Sequence, residues 1–371
     1  MPALIFHHPL PFKDNPTTGS QLRPHKMKAA FEQLRYDVFL IAGTGPERRR
    51  AIQTLKKQIR QGIQFDFVYS EPPSAPIAVV NHDILNLWLD IGFLRWCHQE
   101  NIPVGLFYRD VYWRFDVYKK NTAWHQRLIS VPLFWFEWLS YRRWVNHLFL
   151  PSQEMIPALP SNWPTAHLSA LPPGCEPTLA IPRFEKLNDQ LELFYVGGIT
   201  PPLYDLTPMF VGLNGLDGVR LTLCCREAEW QQVRSFYQPS LSAQVRVIHV
   251  HGAELATYYA QADVFGLFRQ HHPYLEFAMP IKVFEALGYG LPIITTTGAA
   301  AAEMIQQEGI GWVVSKTSEF RDLVIQLQTE PARLFDTRQR ATQVRQHHTW
   351  LERARTVVET LRPIHEFNKA N

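Results

Sequence analysis

The sequence predicts an α/β protein built from two parallel-sheet domains. Three observations carry this. The chain has 371 residues, more than one hydrophobic core usually serves, and 46% of them are hydrophobic against 19% charged, enough to fill two cores. Short apolar runs alternate with amphipathic stretches throughout, as βαβ units require. A segment rich in Pro and Gly, Ala170–Arg183, interrupts that alternation near the middle and then lets it restart.

Element by element, Ala3–His7 reads as a short buried strand. A Pro/Asn/Thr/Gly loop comes next, Pro9–Ser20. Arg23–Leu34 has apolar residues at helical spacing. Strands are expected at Asp37–Ala42, Phe65–Tyr69, Pro103–Tyr108 and His147–Leu150, with helices at Glu47–Gln61 and Asn86–Glu100. Beyond the break, strands are expected at Leu191–Val196, Val219–Cys224, Val245–Val250, Val264–Phe268, Pro292–Thr296 and Trp312–Val314. Helices are expected at Leu255–Gln261, Ile281–Tyr289 and Glu319–Gln328, and one long polar helix from about Pro331 to Glu366. The domains are then 1–178 and 179–345, followed by a last segment of about 346–371.

Composition excludes several classes. Met1–Leu10 lacks the basic start and apolar run of a secretory leader. No stretch of about 18 apolar residues is present to span a bilayer. Cys97, Cys175, Cys224 and Cys225 form no C-x-x-C pair, so reduced thiols and a cytoplasmic setting are expected. A net charge of +3 makes no demand for nucleic acid. The charge is uneven, however: residues 1–60 carry eleven Lys/Arg against four Asp/Glu. That face suits an anionic lipid or phosphorylated acceptor, or is simply solvated.

In open parallel sheets ligands bind beyond the carboxyl ends of the strands, so chemistry is sought in the loops after them. Gly19 and Ser20 would open the first helix, where free N–H groups attract anions; an ordinary N-cap is the alternative. Arg109 and Asp110 end a strand, a costly place for charge unless it is paired or used. Asp110 would orient a sugar hydroxyl or take a proton, with Tyr112 and Trp113 stacking on a sugar. The alternative is an Arg–Asp structural pair beside core aromatics. The densest region is Arg269–Met304. There Glu276 lies in a loop, Pro280 opens a helix, and Lys282 and Glu285 share one helix face near its amino end. Lys282 would hold phosphate while Glu285 accepts from ribose hydroxyls. A plain surface pair is the alternative.

The run Pro280-Ile-Lys-Val-Phe-Glu285-Ala-Leu-Gly-Tyr-Gly290-Leu-Pro292-Ile-Ile resembles the donor-site signature of GT-B glycosyltransferases of the family-four type. The resemblance implies GT-B architecture, two Rossmann-like domains facing across a cleft, with a last helix, about 346–371, returning to the first domain and a nucleotide-sugar as donor. It implies Glu285 on the ribose and an earlier glutamate on the donor sugar. Glu276 stands nine residues before Glu285 where the family has eight. Tyr195-Val-Gly197-Gly198 resembles the glycines opening the second domain, and Val250-His251-Gly252 the segment that reads the base. Arg226 falls where the family more often has glycine. Pro173-Gly174-Cys175 resembles an interdomain turn, and Arg109-Asp110 occupies the slot of a His-Asp pair.

The same resemblance implies a sugar transfer in surface polysaccharide assembly, with retention and without a metal or other cofactor, as in most members of the family. Arg226, Arg269 and Lys282 would stabilise the departing diphosphate. Asp110, Arg109 and Glu276 are the catalytic candidates. No D-x-D ends a strand, and His271-His272 lacks ligand spacing. The acceptor is a saccharide or lipid-linked saccharide. Trp124–Trp144, dense in aromatics and broken by Pro132, suits shallow contact with the inner face of the membrane, or a helix packed on the sheet. A non-catalytic nucleotide-binding partner and a sugar-nucleotide epimerase remain open. A dinucleotide dehydrogenase does not, because neither half has G-x-G-x-x-G.

Overall fold

The computed structural model describes residues 1–12, 19–80, 86–178 and 190–370. The chain divides into two compact units, Met1–Pro173 with Trp350–Asn371, and Gly174–Thr349.

Among the described residues the first unit carries six strands: β1 Ala3–His8, β2 Asp37–Ala42, β3 Val68–Ser70, β4 Val104–Phe107, β5 His147–Leu150 and β6 Leu168–Ala170. All pair in parallel, in the order β2-β1-β3-β4-β5-β6. The strand β6 was not foreseen; three residues with no marked periodicity give little sequence signal. The core strands are apolar on both faces, as a sheet covered on both sides requires. The helix Trp350–Ala370 lies so close to β4 that a Cβ on Gly105 would stand 2.6 Å from Leu361. Beside it the helix Gly19–Gln33 places Arg23 over the Phe107 ring at 3.7 Å.

The second unit repeats the plan with β7 Leu191–Val196, β8 Val219–Cys224, β9 Val245–Ile248, β10 Val264–Leu267, β11 Ile293–Thr296 and β12 Gly311–Val314. These also run parallel, in the order β12-β11-β10-β7-β8-β9. Strand order reverses between β7 and β10, which opens a crevice at their carboxyl ends.

Two expectations are corrected. The long helix from Pro331 is divided into Pro331–Val344, a single turn Arg345–His348, and Trp350–Ala370. The break is held by backbone pairing: the Cys175 N–H donates to the His348 carbonyl at 2.6 Å, and Cys175 bridges Thr349. Pro132, by contrast, does not break its helix, which runs unbroken from Trp124 to Trp144. A proline inside a helix loses one hydrogen bond and strains one turn. Here Phe134, Trp138 and Tyr141 anchor the inward face, and the ring of Pro132 lies on the exposed side.

That inward face also buries Glu137. Its carboxylate accepts the Ile77 N–H at 2.7 Å and the Tyr141 hydroxyl at 3.3 Å. Burial raises its pKa from 4.5 to about 8, against the opposing pull of those donors. The folded state therefore holds a proton that the unfolded chain has released. The stability tied to Glu137 is full below pH 4.5 and is lost as pH rises through about 8. Replacing Glu137 by Gln should flatten this decline, whose slope approaches about 1.4 kcal/mol per pH unit. Denaturant midpoints at pH 5 and pH 8, wild type beside variant, check it; parallel profiles would refute it.

Candidate functional site

Because the strands of each sheet are parallel, every strand delivers its following loop to the same edge. In the second unit the edge is formed by loops after β7, β8, β9 and β10, four neighbours that flank the reversal point. The candidate residues Gly197, Gly198, Arg226, His251, Arg269, Lys282 and Glu285 all stand there.

The helix Ile281–Gly288 comes after β10 and begins beyond Pro280. Its first turn holds no acidic residue and instead carries Lys282. A cation there opposes the helix dipole, so this end gathers positive charge from both side chain and free N–H groups. Lys282 Nζ donates to Glu285 Oε2 at 2.6 Å, and the Tyr259 hydroxyl donates to the same oxygen at 2.9 Å. Glu285 Oε1 has no partner among the described residues. The Glu285 side chain is 23% exposed, fixed yet reachable. Tyr259 in turn stacks on Tyr289, with ring centroids 4.9 Å apart. The helix leaves through Gly288 and Gly290. A Cβ on Gly288 would stand 2.6 Å from the Glu176 carbonyl, and Gly290 has φ +68.

Arg269 is buried, and its backbone is clamped by Thr296, whose hydroxyl accepts the Arg269 N–H at 2.9 Å and donates to its carbonyl at 2.7 Å. The guanidinium lies 5.5 Å from the centre of the Tyr204 ring. No carboxylate pairs with it among the described residues. Burial lowers its pKa, only partly offset by Tyr195 and Tyr204. A buried cation without a counter-ion is costly, and an anion beside it would relieve that cost. Tyr204 also packs under Gly198, where a Cβ would meet its ring at 3.0 Å; Gly197 lies as close to the Tyr195 hydroxyl, 3.1 Å. Arg269, Tyr204 and the two glycines are thus one contiguous group.

Arg226 and His251 share the edge but are exposed, and no hydrogen bond or ion pair joins them to Lys282 or Glu285 among the described residues. Arg226 reaches Glu229 at 3.4 Å with a side chain 75% exposed. Glu229 accepts the Ile199 N–H at 2.8 Å, which ties the loop after β7 to the helix Glu227–Tyr237. His251 precedes the turn Gly252–Glu254. Glu276 stands half exposed, 3.3 Å from His271, while its carbonyl accepts the Ala300 N–H at 2.6 Å. His272 accepts the Tyr274 N–H and so caps a turn. Among the described residues, no three His, Cys, Asp or Glu side chains gather as a metal site needs.

The first unit has its own edge. Gly19 opens the helix Gly19–Gln33 and is exposed. The side chain of Ser20 and residues 13–18 lie outside the described residues. Asp110 accepts the Tyr112 N–H at 2.8 Å and so shapes the turn after β4. Arg109 reaches a second acid, Glu71, just beyond β3, at 3.4 Å. Glu71 is fully buried and also accepts from Arg23 at 3.2 Å and from the Tyr69 hydroxyl at 2.6 Å. Burial lowers the Arg109 pKa while Glu71 holds it up. Trp113 belongs to the core, stacked on Phe134 at 4.9 Å, and Tyr112 sets its ring edge-on to Tyr118. Glu71 and Arg23 were missed in the sequence. Glu71 comes after a strand as directly as Arg109 does, so the same strand-end rule would have found it. Tyr259 and Thr296 had no local signal, since tertiary packing alone brings them to the site.

Residues 209–330 match the family model described as Glycosyl transferases group 1. No curated protein matches the chain. Among solved structures, the fold is similar to that of sucrose-phosphate synthase from Thermosynechococcus elongatus, with a TM-score of 0.65 at 12% identity over 98% of this chain and 99% of that one. HepE from Anabaena in complex with UDP-glucose gives 0.61 at 13% identity, over 97% and 99%. WaaG, a glycosyltransferase involved in lipopolysaccharide biosynthesis, gives 0.57 at 12% identity, over 97% and 99%. The two parallel sheets thus form the GT-B fold of these glycosyltransferases, and residues 209–330 of the chain carry a glycosyl transferases group 1 domain.

Proposed function

We propose that this enzyme moves a hexosyl group from a UDP- or GDP-linked donor to a saccharide or lipid-linked saccharide acceptor, with retention and without a metal. The observation that carries the donor reading is the amino end of the helix Ile281–Gly288. There Lys282, free N–H groups and a half-used Glu285 carboxylate converge. Glu285 Oε1 accepts from ribose hydroxyls. Lys282, Arg269 and the helix N–H groups take the charge that develops on the departing diphosphate, with Arg226 swinging in from the next loop. This arrangement of cations supplies what a divalent ion would otherwise do. Gly197 and Gly198 let the phosphates approach the backbone, and His251 stands where the base is read. Glu276 meets the donor sugar. In the first unit Arg109 and Asp110, with Gly19 and Ser20, serve the acceptor: Asp110 orients a hydroxyl, and Glu71 steadies Arg109.

HepE is seen with UDP-glucose, and WaaG is involved in lipopolysaccharide biosynthesis. The first favours a nucleotide-sugar donor, and the second a role in surface polysaccharide assembly. An acceptor carried on lipid places the enzyme in the cytoplasm at the inner face of the membrane. No helix among the described residues is long and apolar enough to cross a membrane.

Calorimetric titration with UDP, GDP and ADP, each with chelator and then with magnesium, tests the donor reading. One nucleotide should bind equally well in both conditions. Absence of binding at millimolar concentration by folded protein would defeat the reading, and binding only with magnesium would defeat its metal-independent form.

A further inference from the structure

The outward face of the helix Trp124–Trp144 inverts the usual rule for a surface helix, whose solvent side carries charge. Trp124, Leu128, Ile129 and Leu139 are exposed by 56 to 68%, and Trp135 by 38%. Trp124, Leu128, Trp135 and Leu139 recur at helical spacing along one side, next to the face that buries Phe134, Trp138 and Tyr141. From Leu128 to Leu139 this apolar strip is about 16 Å long. A second helix widens it: Trp88, 66% exposed, sets its ring edge against Phe136 with centroids 4.8 Å apart. Large apolar side chains clustered in this way mark a contact surface, whereas single ones do not.

The charge around the strip has one sign. Between Asp116 and Trp144 there are five basic residues and two acids. Glu137 is buried, and Asp116 is paired with Lys119 at 2.9 Å. The exposed Lys120 comes just before the strip in the chain, and the exposed Arg142 and Arg143 come just after it. A second copy meeting this face across a two-fold axis would set basic ends against basic ends. An anionic surface meets them with opposite charge, while tryptophans seat at the level of the headgroups and leucines just below.

We propose that this face docks the enzyme on an anionic phospholipid surface, the strip lying in the plane of the interface. The inference deepens the lipid-linked acceptor reading above and rests on it only for the purpose of docking. Binding is measured without donor or acceptor, so failure of one is separable from failure of the other.

The test is co-sedimentation of the full chain with phosphatidylcholine vesicles, with and without phosphatidylglycerol. Wild type should pellet with the anionic vesicles and little with the neutral ones. Leu128→Glu combined with Leu139→Glu should weaken partitioning on the order of tenfold or more, with an unchanged melting transition because both sites are exposed. Arg142→Glu with Arg143→Glu should abolish the preference for anionic vesicles while leaving the strip intact. Wild type that stays in the supernatant, or variants that pellet like wild type, overturn the proposal. So does a dimer by light scattering that the leucine variant dissociates, since the strip then covers a second copy.

Discussion

Glu285→Ala should weaken nucleotide binding roughly 100-fold and lower kcat/KM by at least as much. A carboxylate accepting from sugar hydroxyls contributes about 1.5–3 kcal/mol per charge-assisted bond, and two such bonds at the lower figure give about that factor. Lys282 and Tyr259 already converge on Oε2, at 2.6 and 2.9 Å, so the carboxylate is oriented before any ligand arrives. Little entropy is then lost on binding, which is why its removal should be felt in full. The variant also releases Lys282, leaving a cation where the phosphates go. Phosphate affinity should therefore survive while ribose affinity falls. Titration with a nucleoside diphosphate and with inorganic pyrophosphate separates the two. A variant within threefold of wild type for the nucleotide would show that Glu285 is only a partner of Lys282.

The second unit's architecture and much of its site were readable in the sequence for one physical reason. Chemistry at a parallel-sheet edge is local to the strand-to-helix junction, and a junction is a short continuous segment. Lys282, Glu285, Gly288 and Gly290 lie within nine residues, and their spacing already puts the charged pair on one helix face. Arg269 came from the loop after its strand, and Arg226 and His251 from the family resemblance, which also places them just after strands. Local spacing could not reveal which of them is enclosed. Arg269 and Arg226 both stand just after strands, yet one is buried beside Tyr204 and the other points to solvent. That difference arises from residues more than 40 positions apart. The break at Thr349 was hidden similarly, because a distant Cys175 backbone holds it. Pro132 failed in the opposite direction: a strong local rule yielded to the packing of Trp138 and its neighbours.

Arg48→Met should be the most damaging single change to the first unit, costing about 3–5 kcal/mol. Arg48 and Asp90 are each about 1% exposed and form a two-pronged pair, Nε to Oδ1 and Nη2 to Oδ2, both 2.9 Å. Arg48 also donates to the Gly43 carbonyl at 2.6 Å. His7 bonds Asp90 Oδ1 through Nε2 at 2.9 Å and Ser70 Oγ through Nδ1 at 2.9 Å, so the network joins β1, β3 and two helices. Burial alone would raise the Asp90 pKa; His7 and Arg48 together hold it below the ordinary value. Its contribution is present above the unfolded pKa and is lost as pH falls through the folded one. Removing Arg48 leaves a buried carboxylate with one fewer partner, and the measured cost is chiefly that of stranding it. The double variant Arg48→Met, Asp90→Leu strands no charge and should therefore recover much of the loss. Denaturant unfolding of both variants decides the matter. A cost under about 1 kcal/mol for Arg48→Met would show that the network contributes little, while a double variant less stable than the sum of Arg48→Met and Asp90→Leu alone would show that stranding a buried charge is not the source of the loss.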